Sequence, residues 1–273
     1  MSELPAAPLV AWADVDRALG LRRLIARVYA LCLVEVQKLR HDRTELVMRA
    51  IQPSLWLVIF GTTFSRLRSI PTSGVAYLDF LAPGVLAQAT VFVSIFYGIQ
   101  VIWERDAGVL AKLMVTPTPR AALVTGKAFA AGVRGLTQAL VVYVLAEILG
   151  VRLSLNPLRL LGVVAVVLLA AAFFCCLSVT VAGLVLSRDR MMGIGQAITM
   201  PLFFASNALY PIDIMPAWLR VVAHINPMSY QVEALRGLLL GTPARLPLDF
   251  AVLAGATAVA IATASAFLAR LGR

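Results

Sequence analysis

From Leu160 to Ser187 the chain runs without one charged residue. A helix of that length and polarity has no stable place on a soluble domain. It fits a bilayer, whose core of about 30 Å takes about 20 helical residues. Four further runs qualify or nearly do: Ala50–Ser65, Phe80–Trp103, Met191–Ile212 and Phe250–Ala269, each closed at both ends by Arg, Asp or Glu. A sixth, Ala128–Gly150, is apolar apart from Arg134 and Glu147. Those two charges lie toward the ends of the run, where a long side chain reaches the headgroups. They stand roughly 20 Å apart along a helix and cannot pair within it. The runs are continuous rather than alternating, which separates them from barrel strands. Only a helix satisfies its own backbone in lipid. The expectation is an all-α integral membrane protein with six transmembrane helices, at about 47–65, 79–103, 128–150, 160–187, 191–212 and 249–270.

Composition agrees: 60% of the chain is hydrophobic and 14% charged, against about 45–50% and about 25% in soluble domains. The net charge of +10 would suggest nucleic acid in a soluble protein. In a membrane protein, Lys and Arg gather in cytoplasmic loops and set orientation. With both termini inside, 17 of the 24 Lys and Arg residues lie on the inner side and seven on the outer. That favours an N-in, C-in topology, with the lipid bilayer and no nucleic acid as partner. Residues 1–16 carry Pro5, Pro8, Asp14 and Asp16 and read as a flexible N-terminus without the apolar core of a signal peptide. Cys32, Cys175 and Cys176, with His41 and His224, have no metal-site or disulfide spacing; no metal is expected.

Three segments neither cross nor merely connect. Over 17–46, Leu21, Leu24, Ile25, Val28, Leu31 and Cys32 recur at helical spacing, with Arg22, Arg23 and Arg27 on other faces and Glu35 beyond them. This predicts a basic amphipathic helix, lying in the cytoplasmic interface or packed as an ordinary soluble helix. Over 104–127, Val109, Leu110 and Leu113 share a face until Pro117, and Thr118 with Pro119 then makes a cap and first helical turn. That is a jointed hairpin, a docking surface or a long connection. Over 211–247, five prolines separate two short helices, Ala217–Ala223 and Ser229–Leu240, with Gly241 as a stop. The second can dip back into the bilayer if protein covers it.

Motifs in these segments resemble the membrane permease subunit of type-2 ABC transporters, nearest to the daunorubicin-type drug-resistance and nodulation lipo-oligosaccharide exporters. Three stretches carry the likeness: Tyr77-Leu78-Asp79-Phe80-Leu81-Ala82-Pro83-Gly84; Trp103-Glu104-Arg105-Asp106-Ala107-Gly108-Val109-Leu110 with Thr116-Pro117 and Gly126-Lys127; and Leu209-Tyr210-Pro211, Met215-Pro216-Ala217-Trp218-Leu219 and Asn226-Pro227-Met228-Ser229-Tyr230 with Arg236. The resemblance covers roughly residues 25–270. It implies an interfacial N-terminal helix, six spans, a cytoplasmic coupling hairpin and a partly re-entrant outer segment. It also implies two permease copies, a homodimer first, docked on two ABC ATPase subunits in a bacterial cytoplasmic membrane.

The chain lacks a Walker phosphate loop. Ala121 stands where that motif needs Gly, and Gly126-Lys127 runs into Ala128. ATP and Mg²⁺ therefore belong to the partner ATPase, and no cofactor or catalytic residue is assigned here. Coupling to the ATPase is expected at Glu104, Arg105, Gly108, Leu110, Pro117 and Pro119, with Glu104 anchoring the hairpin through a charge pair or standing as a solvated boundary charge. Small residues, Gly132 and Gly135 in the third span and Gly193 and Gly195 in the fifth, suit either a dimer seam or packing within the chain. With Arg134 and Glu147 at span ends, no span centre is charged, which disfavours an ion-coupled carrier and favours a hydrophobic or amphipathic cargo (drug, lipid or glycolipid). Gln100, Gln138, Gln196 and Asn207 are the candidate lining groups. A channel, a secondary carrier and an intramembrane enzyme are the competing classes; Asp213, His224 and Glu233 share the outer side without a recognisable catalytic spacing.

Overall fold

The computed structural model describes residues 51–67, 75–110, 112 and 120–271. Every regular element among them is helical. The interfacial helix expected over 17–46, with Arg22, Arg23, Arg27 and Glu35, lies outside the described residues, as do Pro117 and Pro119.

Four helices are long and apolar enough to cross a membrane: α2 (Tyr77–Asp106), α3 (Arg120–Ile148), α4 (Pro157–Val185) and α8 (Leu246–Leu271). Ahead of them a shorter apolar helix, α1 (Ile51–Phe64), passes through a π-helical turn at Trp56–Phe60. Between α4 and α8 come α5 (Arg188–Phe204), α6 (Ala217–Ile225) and α7 (Pro227–Leu240).

The core is built around α4. It packs against α2, α3, α7 and α8, and its buried side is lined with small and branched residues such as Val166, Val167, Ala170, Ala171 and Ala182. Closeness is set by α2, where a Cβ on Gly98 would stand 2.6 Å from the Cys175 carbonyl oxygen and 2.7 Å from Ser178 Cβ. There Ser178 Oγ donates to the Ile95 carbonyl at 2.8 Å. On the other side Thr257 Oγ1 of α8 donates to the Leu169 carbonyl at 3.0 Å. Such interhelical bonds contribute roughly 0.6 kcal/mol each in a bilayer. Gly132 packs against Leu168, and Gly135 against Thr90, Val167 and Ala171, so this small face is taken up within the chain; nothing lies within 4 Å of a Cβ at Gly193. An aromatic ladder ties α1 on: Trp56 stacks on Phe60 (4.4 Å) and meets Phe203 of α5 edge-on (5.3 Å), and Phe64 reaches Tyr77 (5.6 Å).

Two helix starts, those of α4 and α7, share one local device. Asn156 before Pro157 and Asn226 before Pro227 each accept an amide hydrogen bond two residues on, from Leu158 and Met228, at 3.0 Å. Proline at the first helical position loses no bond a helix would have made. Gly241 ends α7 in the left-handed conformation, as its sequence position predicts.

Two expectations need correction. The fifth apolar run reads as helix to Ile212, but α5 ends at Phe204. Ser206 Oγ donates to the Phe203 carbonyl at 2.7 Å, and Asn226 Nδ2 donates to the Leu202 and Ala205 carbonyls at 2.7 and 3.0 Å. Side chains thus take up carbonyls that the next helical turn would have used. Arg134, expected near a span end, lies midway along α3, 6% exposed, with its guanidinium 4.8 Å from the centre of the Tyr97 ring. The helix begins at Arg120, two turns before the apolar run, so Arg134 falls at the middle of the helix although it is the seventh residue of the run. One span-length helix therefore does bury a cation near its middle. Glu147, by contrast, lies at the far end of α3 and accepts the Leu153 amide at 3.2 Å.

Candidate functional site

At the end of the bundle where α2 finishes and α3 and α5 begin, charged groups from these three helices converge beside the end of α4. Glu104 sits in the last turn of α2. Lys127 lies two turns into α3. Their side chains meet at 2.6 Å, with 32% and 15% of each exposed. Lys127 Nζ also lies 5.0 Å from the Tyr97 ring centre, so one face of the ammonium is covered by aromatic carbon. Partial burial strengthens this pair relative to an open surface pair, because fewer waters compete for either charge.

Arg105, the next residue, turns toward the end of α4. Its Nε and Nη2 bond Asp106 Oδ1 at 3.0 and 2.8 Å, and Nη2 also donates to the Leu186 carbonyl at 3.1 Å. Leu186 caps α4 in the left-handed region (φ 55°), a conformation that costs a non-glycine residue roughly 1–2 kcal/mol. The arginine thus holds the carbonyl of a strained cap. Arg188, opening α5, stacks its guanidinium 4.9 Å from the Trp103 ring centre. Each of the three joints, α2 to α3, α2 to α4 and α2 to α5, is therefore bridged by a cation.

The chain leaves this cluster through Gly108, at φ 71° with no heavy atom of the described residues within 4 Å of a would-be Cβ. Its conformation follows from the reversal after Asp106: the Ala107 amide bonds the Trp103 carbonyl and the Gly108 amide the Arg105 carbonyl, each at 2.9 Å. Leu110 then turns back and is 3% exposed, while Val109 faces out at 44%. The exit is a fixed turn with one apolar anchor.

Four of the residues expected to couple, Glu104, Arg105, Gly108 and Leu110, are brought together here. The motifs that carry the resemblance include Trp103 and Lys127 but give neither a role, and Arg188 was not singled out. The available signal was opposite charge at the facing ends of successive spans. The candidate lining residues differ in exposure. Gln138 is buried in α3, Gln196 is exposed on α5, Gln100 is half-buried on α2, and Asn207 is buried after α5 at the opposite end.

A family model described as ABC-2 type transporter matches residues 26–240. Among similar proteins, a putative transport permease ycf38 of Cyanophora paradoxa is 28% identical over 214 residues, spanning 74% of this chain and 70% of its own. The daunorubicin resistance ABC transporter permease protein DrrB1 of Streptomyces coeruleorubidus is 26% identical over 204 residues, 74% and 71% of the two chains. Nodulation protein J of Rhizobium leguminosarum bv. trifolii is 27% identical over 172 residues, 62% and 64%.

Proposed function

Since the chain belongs to the ABC-2 type transporter family, as a membrane permease of an ABC exporter, we propose that it takes its energy from a separate ATPase subunit through the Glu104 end of the bundle. Two copies pair in a bacterial cytoplasmic membrane, each crossing six times with both termini inside. Besides the four long helices, α1 and α5 cross, and α6 with α7 forms a partly re-entrant outer segment. The cargo is hydrophobic or amphipathic.

The observation that carries this reading is the cation-bridged convergence of α2, α3, α4 and α5 beside a fixed turn. A motor docking on residues 104–127 moves the ends of several spans together only if those ends are tied to one another. Glu104–Lys127, Arg105–Leu186 and Arg188–Trp103 are such ties. The 17 inner Lys and Arg residues support placing this end in the cytoplasm. At 17 residues, α5 is about 26 Å long, enough to reach across most of a bilayer core. The cover that α2, α4 and α8 give α7 meets the requirement for a helix that enters lipid without crossing. Relatives named for daunorubicin resistance and nodulation support an amphipathic cargo.

Co-expression of the chain with a candidate ABC ATPase subunit from the same genome tests the proposal. The two are expected to co-purify, with ATPase activity that responds to the permease. An ATPase that never co-purifies, together with transport that survives replacement of residues 107–119 by a Gly/Ser linker, refutes it.

A further inference from the structure

The opposite end of the bundle holds a second polar site. A cleft of about 440 Å³ opens between the start of α2, the loop after α5, and α6 and α7, within the range of about 300–1,000 Å³ that takes small ligands. Arg236 of α7 lies against its wall. The guanidinium stands 3.7 Å from the Phe80 ring centre, and Nη2 donates to the Phe80 and Asn207 carbonyls at 3.2 and 3.0 Å.

What distinguishes the cleft is unmet hydrogen-bonding capacity. Among the described residues, Asn207 Oδ1, Ser229 Oγ and Arg236 Nε are buried without a partner, and Asn207 and Ser229 are only 6% and 4% exposed. All three residues line the cleft. Buried polar groups are rarely left unmatched, since each such omission costs about 1–3 kcal/mol. Arg245 also lines it, and among the described residues neither arginine has a carboxylate within ion-pair distance. Acceptors face them: Asn207 Oδ1 and the half-buried Glu233, which takes up only the Arg245 amide, at 3.4 Å. The site therefore offers both cationic donors and acceptors. Alongside, α6 exposes Trp218 (69%), Val221 (61%) and Ile225 (75%), an apolar face of the kind that lies in a lipid interface.

We propose that this cleft binds a phosphate ester carrying an N–H donor, the headgroup chemistry of an ethanolamine phospholipid. The phosphate sits against Arg236, Arg245 and Ser229, the ammonium against Asn207 Oδ1 and Glu233, and the acyl chains lie along α6. The inference is independent of the exporter reading, because binding is measured on this chain without an ATPase.

The test uses the full chain purified in a neutral detergent, with affinities measured by native mass spectrometry. The probes are dihexanoyl phosphatidylethanolamine, dihexanoyl phosphatidylcholine, O-phosphoethanolamine and inorganic phosphate. The ethanolamine lipid is expected to bind about tenfold tighter than the choline lipid, which has no N–H to give, and S229A and R245Q each to weaken it about tenfold. Ser229 Oγ has no bond to lose, so S229A keeps the fold even if R236Q, which loses two bonds to backbone carbonyls, does not. O-phosphoethanolamine binding as tightly as the lipid supports the site chemistry and makes its source a soluble ester. Equal affinity for the choline lipid, binding of inorganic phosphate alone, or unchanged affinity in both S229A and R245Q overturns the proposal.

Discussion

Removing the charge from Glu104 or Lys127 leaves its partner partly buried without its counter-charge, so the pair is expected to act as one unit. Exposed ion pairs contribute about 0.2–1 kcal/mol, and breaking a fully buried pair costs about 3–5 kcal/mol. With a 2.6 Å contact and 15% and 32% of the two side chains exposed, this pair falls between those limits. A coupling energy of about 1.5 kcal/mol follows, close to a tenfold effect. The assay is a double-mutant cycle on E104Q, K127Q and E104Q/K127Q, read as permease-dependent ATPase activity of the reconstituted complex. Each single variant should lose about tenfold, and the double variant should be no worse than the weaker single one. The reversed pair E104K/K127E should recover part of the loss, limited by the different reach of the two side chains. If the effects simply add, with coupling below about 0.3 kcal/mol, Glu104 acts alone and the tie between α2 and α3 is not what conveys motion.

Three further outcomes follow from the packing. N226A removes the α7 cap and both bonds that close the end of α5; it should cost about 2–3 kcal/mol, read as a lower melting temperature in detergent, with N226D recovering only the cap. G98A places a methyl against the α4 backbone and should destabilise by about 1–3 kcal/mol, whereas G193A, in open space, should leave the melting temperature unchanged or slightly raised. G108A meets no neighbour but must hold φ 71°, so it should cost about 1–2 kcal/mol locally and reduce ATPase stimulation more than it reduces the melting temperature.

The positions of α2, α3, α4 and α8 were legible in the chain because each rests on a local rule. An uncharged run long enough to span must be helical in lipid, whatever it packs against. The starts at Pro157 and Pro227 and the stop at Gly241 were likewise written in neighbouring residues. Likeness of motif placed Glu104, Arg105, Gly108 and Leu110 in one functional region. The pairing of Glu104 with Lys127, 23 residues on, depends on how α2 and α3 cross, and no periodicity carries that. Arg134 stands nearer the middle of its helix than the apolar run suggests, because hydropathy locates the run but not where the helix begins. The end of α5 at Phe204 is set by Asn226, beyond the span itself. The cleft at Arg236 draws Phe80, Asn207, Ser229, Glu233 and Arg245 from α2, the loop after α5, and α7 and its exit. The apolar character of the long helices was thus decided by the sequence alone, since solvent preference acts residue by residue. Which charges meet, and which polar atoms are left unmet, was decided only by tertiary packing, because hydrogen bonds and ion pairs depend on distance in space.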